Sequence, residues 1–382
     1  MRLFRTHCQR TRRAAWMLPL LAASLMLAFV APVTGEAATP AATRDDTFFV
    51  LSDVHVGTHK DKDQTALTPD QMVVSARARL EAMRGLVGLP YPDRPALAGL
   101  QLGAVALPRG LFVLGDLTDG DKELSVRQQQ WSCFDRLFPA LGLQFGQTKV
   151  PVFACAGNHD GAPDGPARTG LVERNRQLFT AGELVAVSTN GVHFALNWNG
   201  VHFIGLGLCP ADAPDAETPF KFGPAGPGSW NDPQGALTFL RDYLVKHVGA
   251  SGEPVVLMHH YGFDGFSLND WNWWTLKQRR ALYELLKDYN VVAILHGHDH
   301  HTAHYQWPEP QRHAADLEYF YNGKVPDHPR RYDVFSCGSV CWVMRIHGDQ
   351  FTAAHFDESG WSKDPADFFV KSLKPGGRFS KE

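Results

Sequence analysis

Apolar residues along the chain gather into short runs that each close on a knot of polar side chains. Thr47–Leu51, Leu111–Leu114, Val150–Ala154, Pro254–Met258 and Val291–Leu295 are too short for helices and rich in β-branched and aromatic residues, so they read as buried strands. Asp70–Leu86, Leu124–Leu137, Gly235–His247 and Thr275–Tyr289 lie between them as helical stretches. Strands alternating with helices predict an α/β sandwich whose polar strand ends converge on one edge, where open α/β sheets hold their ligands. Val192–Trp198 and Val201–Leu208, separated by Asn199-Gly200, predict a hairpin on a type I′ turn, which makes the sheet mixed. Residues 209–232, 261–274 and 302–331 read as loops, and Asp333–Cys337, Val340–His347 and Phe351–Phe356 as closing strands. A domain over 47–360 with a charged, peripheral tail over 361–382 follows.

The first 37 residues belong to a different kind of segment. Five arginines between Arg2 and Arg13, an apolar stretch from Ala14 to Val33 and small residues at Gly35-Glu36-Ala37 read as a secretory signal peptide cleaved after Ala37. The alternative is an uncleaved membrane anchor, since about 20 apolar residues can span a bilayer; Pro19 and Pro32 weigh against it. Thr11-Arg12-Arg13 also hints at twin-arginine export. The mature chain is expected to be secreted or periplasmic, to begin with a small-residue linker over 38–46, and to have no stable transmembrane span. Of 37 basic and 40 acidic residues, five arginines and one glutamate leave with the leader, so 32 basic face 39 acidic. An excess of acid does not draw a nucleic-acid backbone. Cys133, Cys155, Cys209, Cys337 and Cys341 remain, an odd number, so at least one thiol is free or pairs between chains.

Five polar clusters stand at the strand ends: Asp53-Val54-His55, Gly115-Asp116, Gly157-Asn158-His159-Asp160, His259-His260 and Gly297-His298-Asp299-His300. Carboxylates, an amide and imidazoles together suit Mn, Fe or Zn, whereas an all-oxygen set would suit Mg or Ca. The pattern D-x-H, G-D, G-N-H-D, H, G-H-x-H resembles the calcineurin-like metallophosphoesterases, and all five blocks are present in order over about two thirds of the chain.

That resemblance implies a four-layer α/β/β/α sandwich of two mixed sheets flanked by helices. It also implies two divalent or trivalent transition-metal ions, Asp53, His55 and His300 on one, Asn158, His259 and His298 on the other, and Asp116 bridging. Such a pair can hold a phosphoryl oxygen, generate hydroxide near neutral pH and neutralise the in-line transition state. His159 then stabilises the phosphoryl charge or protonates the leaving alkoxide, with Asp160 orienting its ring. Where the family often reads H-H-P this chain has His259-His260-Tyr261, which leaves the local register open; His259 is taken as ligand and His260 as its support. His296, His301 and His304 either orient ligands or face solvent, and His193, His202 and His355 read as ordinary strand residues. Trp271, Trp273 and Trp274 form either a substrate wall or the anchor of a long loop. Arg168, Arg174 and Arg176 either contact phosphate or lie on a solvated helix face.

The expected reaction is hydrolysis of a phosphate mono- or diester, the substrate a small-molecule or lipid-derived phosphate ester. A nuclease of the same fold would require a basic stripe that is missing here. A non-catalytic metal- or partner-binding module would be signalled by a lost ligand or a lost His159.

Overall fold

Alternation along the strands sorts the apolar side chains into separate cores. In β1 (Asp45–Leu51), Phe48 and Val50 face one core while Phe49 and Leu51 face another; β2 (Gly110–Leu114) does the same with Phe112 and Leu114 against Leu111 and Val113. The structure, a computed structural model, describes residues 44–57, 67–217, 231–264, 266–267, 273–310, 331–338, 341–357 and 359–375. The next strands are β3 (Leu141–Phe145), β4 (Thr148–Cys155), β5 (Ala186–Val187), β6 (Phe194–Trp198), β7 (Val201–Gly205), β8 (Val255–Met258) and β9 (Val291–His296). They are followed by β10 (Ala303–Trp307), β11 (Tyr332–Ser336), β12 (Cys341–His347), β13 (Gln350–Asp357), β14 (Gly360–Trp361) and β15 (Phe368–Ser372).

One sheet runs β14-β13-β12-β1-β2-β4-β3, with β15 also on β13; the other runs β10-β11-β9-β8-β7-β6-β5. Both are mixed: β1, β2 and β4 are parallel neighbours, as are β7, β8, β9 and β11, while the outer pairs are antiparallel. Phe48, Phe112, Phe153, Phe203, Val256 and Met258 meet in the core between the sheets. The outer face of the first sheet is covered by α1 (Pro69–Met72), α2 (Val74–Leu86), α3 (Leu124–Leu137) and α4 (Pro166–Thr180), and that of the second by α5 (Ala236–Tyr243) and α6 (Leu276–Leu286). Ala76, Leu80, Met83 and Leu86 of α2 recur at helical spacing and bury there. This is the α/β/β/α sandwich.

Several boundaries differ from the sequence reading. The first helix breaks at Val73, whose ψ of 4° ends α1 before α2 begins, and the third turns into a π-turn at Leu244–Val248. The segment beyond Trp361 is part of the first sheet: β15 pairs with Gln350–Ala354, and Phe368 and Leu373 are buried. Its apolar core, Phe368-Phe369-Val370, was hidden among charged neighbours. β1 begins within the expected linker, and β10 lies in an expected loop. The hairpin turn is as expected, with Asn199 and Gly200 at φ 52° and 79°. The cysteines from Cys133 to Cys341 are buried and unbridged, Cys337 and Cys341 included. Met1–Ala37 and Trp271 lie outside the described residues, and among the described residues no helix is long and apolar enough to cross a membrane.

Candidate metal centre

The chain leaves β1, β2, β4, β8 and β9 at the same edge, and the polar clusters sit on those exits. Asp53, His55, Asp116, His298 and His300 all have positive φ, between 44° and 79°, a region that costs an L-residue free energy and persists only where surroundings hold it. The hold is visible: Asp53 N–H donates to Gly115 O at 3.1 Å and His55 N–H to Asp116 O at 2.9 Å, so β1 and β2 stay tied beyond their ends. Two glycines permit the close approach. A Cβ on Gly157 would overlap the Asp116 backbone, and one on Gly297 would overlap the Ser52 hydroxyl.

Donor atoms of Asp53, His55, Asp116 and His300 gather within 4.8 Å of one another, and so do those of Asp116, His260 and His298. The two sets share Asp116. His55 Nε2 and His300 Nε2 stand 3.2 Å apart, and His300 Nε2 is 3.4 Å from Asp53 Oδ1. On the other side His260 Nε2 is 3.0 Å from Asn158 Oδ1 and 3.3 Å from Asp116 Oδ2. His260 Nδ1–H donates to the Leu114 carbonyl at 2.8 Å, so once the ring is neutral its lone pair is on Nε2. His298 Nε2 is buried and has no hydrogen-bond partner among the described residues. An orphaned buried nitrogen, two ring nitrogens face to face and two buried carboxylates suit cations, and the mixed N/O set suits transition metals.

The electrostatics of the metal-free cluster follow from this crowding. Burial would raise Asp116, but the imidazoles of His260, His159 and His55 outweigh it and hold the carboxyl well below its usual range. Burial likewise opposes the charged forms of His55 and His260, yet Asp119, Asp116 and Asp53 push His55 up to about 9, and Asp116 with Asp53 push His260 up to about 9. His298, buried and beside His260, is held well below the imidazole range.

The register of the histidine pair is the main departure from the sequence reading. His260, not His259, is brought to Asp116, Asn158 and His298. His259 lies on the other face of the β8 exit, against Phe263 and Trp274 at ring separations of 5.6 and 5.8 Å, and among the described residues neither ring nitrogen has a hydrogen-bond partner. Burial and His296 depress it to about 3. Side chains of successive extended residues point to opposite faces, so only one of the pair can reach the cluster.

His159 stands beside the cluster, its ring 4.7 Å from that of His55, with Nδ1–H donating to the Asp119 carbonyl at 2.8 Å. Asp160 has a different task from the one expected. Its carboxylate accepts from Gly157 N–H, Thr118 N–H and the Thr118 hydroxyl, fastening the loop backbone instead of the His159 ring. Asp119 was missed: its carboxylate lies 3.1 Å from His55 Nδ1 while its carbonyl holds His159. The only trace of it in the sequence is a second acid three positions after Asp116.

Buried Arg168 bonds the carbonyls of Gly157 and Gly161, and buried Arg174 pairs with Asp135 at 2.6 Å, so neither lies on a solvated helix face. Arg176 is exposed on α4 near Glu173. Trp274 anchors the loop through Nε1–H to Gly262 O, and Trp273 is buried with its ring 4.5 Å from His298. His296 is braced by Gly297 O and the Tyr305 hydroxyl, and His304 by Asp333, while exposed His301 turns back on Asp299 O. His202 and His355 sit in strands, paired with Glu253 and Asp367, and His193 is bonded to Gln234 O.

A sequence profile of calcineurin-like phosphoesterases matches residues 47–302. No functionally curated protein matches the sequence significantly. Among solved structures, a dimetal phosphatase from Danio rerio is 12% identical over 87% of this chain and 99% of its own, with a TM-score of 0.47. The structure of PhoD is 11% identical over 90% and 73%, with a TM-score of 0.49, and a purple acid phosphatase from yellow lupin seeds 12% identical over 90% and 54%, with a TM-score of 0.44.

Proposed function

Because the chain belongs to the calcineurin-like phosphoesterase family, we propose that it hydrolyses a phosphate mono- or diester of a small molecule or lipid-derived compound, with two transition-metal ions held by Asp53, His55, Asp116, Asn158, His260, His298 and His300. The observation that carries this reading is the sharing of Asp116 between two convergent donor sets. Ions bound there would supply charge neutralisation at the phosphoryl oxygens and acidify a water for attack.

The chain's own residues do the rest. Asp116 lends one negative charge to both sides, and Asn158 adds a neutral oxygen to one. His159 lies outside the two sets that share Asp116 but gathers with His55 and Asp119 in a third; a carbonyl can only accept, so its bond to Asp119 O fixes a proton on Nδ1 and leaves Nε2 as the nitrogen that gives or takes one. A protonated Nε2 can stabilise the phosphoryl charge or pass its proton to the departing alkoxide.

The test is elemental analysis of the purified protein alongside turnover of aryl phosphate mono- and diesters. About two ions per chain, activity lost on chelation, and loss of both ions in Asp116→Asn are expected. Full activity in chelator with no metal bound would refute the reading, and two bound ions without turnover of any ester would favour a non-catalytic module. We further propose export, supported by the cationic, apolar and small-residue order of Met1–Ala37. N-terminal sequencing of the exported protein should begin near Ala38; retention of the segment in an alkali-washed membrane fraction would replace export with anchoring.

A further inference from the structure

We propose that Phe266 forms an apolar wall beside the His298 side of the centre and selects phosphate esters whose esterified group carries a flat aromatic ring. The inference rests on the reaction proposed above and assigns the chemistry of its substrate.

The side chain of His298 is enclosed by aromatic rings: Tyr261 at 4.6 Å, Trp273 at 4.5 Å and nearly perpendicular, and Phe266 at 5.0 Å between ring centroids. Tyr261 and Trp273 are buried, at 0% and 3% exposure, so their packing accounts for them. Phe266 is 44% exposed and lies at the cluster's margin. Among the described residues its ring meets those of His298 and Trp273, at 5.0 and 6.3 Å, and keeps apolar area in water beside the centre.

The described residues around it are tied to one another. Ser267, fully buried, donates its N–H to Asp264 Oδ1 and its hydroxyl to Asp264 Oδ2, both at 2.8 Å, while its Oγ accepts the Gly262 N–H at 3.2 Å. The Ser267 carbonyl takes the Trp273 N–H at 3.1 Å, and Phe263 stacks on Trp307 at 3.9 Å with its N–H on the Tyr305 hydroxyl. Ser267 after it and Asp264 two residues before it are held by buried polar bonds, which limits the freedom Phe266 loses on contact with a ligand and favours turning an exposed aromatic into binding free energy. An offset-stacked or edge-to-face ring pair and the apolar area it removes from water together amount to roughly a tenfold gain in affinity. The phosphate itself is left to the centre, since a phenyl ring offers an anion nothing.

The test compares two alkoxide esters of similar leaving group, benzyl phosphate and glycerol phosphate, on metal-loaded wild type and Phe266→Ala. For the variant kcat/KM should fall about tenfold for benzyl phosphate, through KM, and stay within twofold for glycerol phosphate, with metal content and Tm unchanged; Phe266→Trp should retain the preference. Equal loss on both esters, or no loss on either, overturns the inference. Calorimetric binding of benzylphosphonate against methylphosphonate gives the same discrimination without turnover. If the wild type hydrolyses neither these esters nor aryl phosphate mono- and diesters the proposed reaction fails, while a tenfold benzyl preference in binding that disappears in Phe266→Ala still upholds the wall and its absence still overturns it.

Discussion

Replacing His260 with alanine and, separately, His259 with leucine should give opposite results from adjacent residues. The His260 ring is fully buried, bonded to the Leu114 carbonyl, and within 3.3 Å of Asp116 and 3.0 Å of Asn158. Removing one partner of a buried charged pair costs about 3–5 kcal/mol, which in a domain of this size lowers Tm of the metal-free protein by roughly 10 °C. The sign with pH follows from its raised pKa: the stabilisation is full below the ordinary imidazole range and is lost as pH rises through about 9, so the penalty should shrink in alkali. Metal affinity should drop more than the 10–100-fold typical of residues that merely support a ligand, because a donor nitrogen is gone. His259, in contrast, buries an imidazole with no hydrogen-bond partner among the described residues, at a cost of roughly 1–3 kcal/mol, so leucine of similar bulk should leave Tm unchanged or higher and both ions in place. Metal titration calorimetry and melting with and without chelator at pH 7 read both variants. Loss of one ion in His259→Leu, with two retained in His260→Ala, would refute the register drawn from the structure.

Other consequences are measurable as well. His55 and His260 carry protons below about 9 in the metal-free protein and must be neutral as ligands, so loading at pH 7 should release about two protons per chain, and affinity should weaken as pH falls below 9; calorimetry in buffers of different ionisation enthalpy counts them. His159→Asn should keep both ions yet slow alkyl esters by about 10²–10⁴, with activated aryl esters slowed less if proton donation is its role; loss of metal with normal rates on reconstitution would make it a ligand. Asp119→Asn should weaken the ion on the His55 side by about 10–100-fold and spare the other, read by metal stoichiometry at limiting metal.

The fold was legible wherever a strand or helix carried its own signal. Thr47–Leu51, Leu111–Leu114 and Val291–Leu295 announced themselves by apolar runs closing on polar residues, and Asn199-Gly200 by the left-handed geometry its turn demands. β15 did not, because Lys371 and its charged neighbours masked three apolar residues; the lysine is in fact buried on Asp333 at 2.8 Å. The cluster positions were legible because their residue types are rare together. What sequence could not give was direction: which of two adjacent histidines faces inward depends on the pleat at the end of β8. Nor could it separate Asp160, which fastens backbone, from Asp119, which holds two imidazoles. Both are aspartates near a strand end, and only the path of the chain distinguishes them.

The five left-handed residues of the centre carry a consequence for how this protein could change. Each costs roughly 1–2 kcal/mol of backbone strain, and together that approaches the net stability of an ordinary domain, about 5–15 kcal/mol. Glycine would relieve the strain at any of them and remove the ligand in the same stroke. The pull is strongest at His300, whose side chain is 59% exposed and gives up little packing. Robustness of the bare fold and possession of the ions are therefore opposed at His300, where selection for thermal endurance alone would erode the centre first, whereas at Asp53, His55 and Asp116 the buried charge pairs outweigh the strain; a stabilising design has to work away from His300 or use the ions themselves as the source of stability.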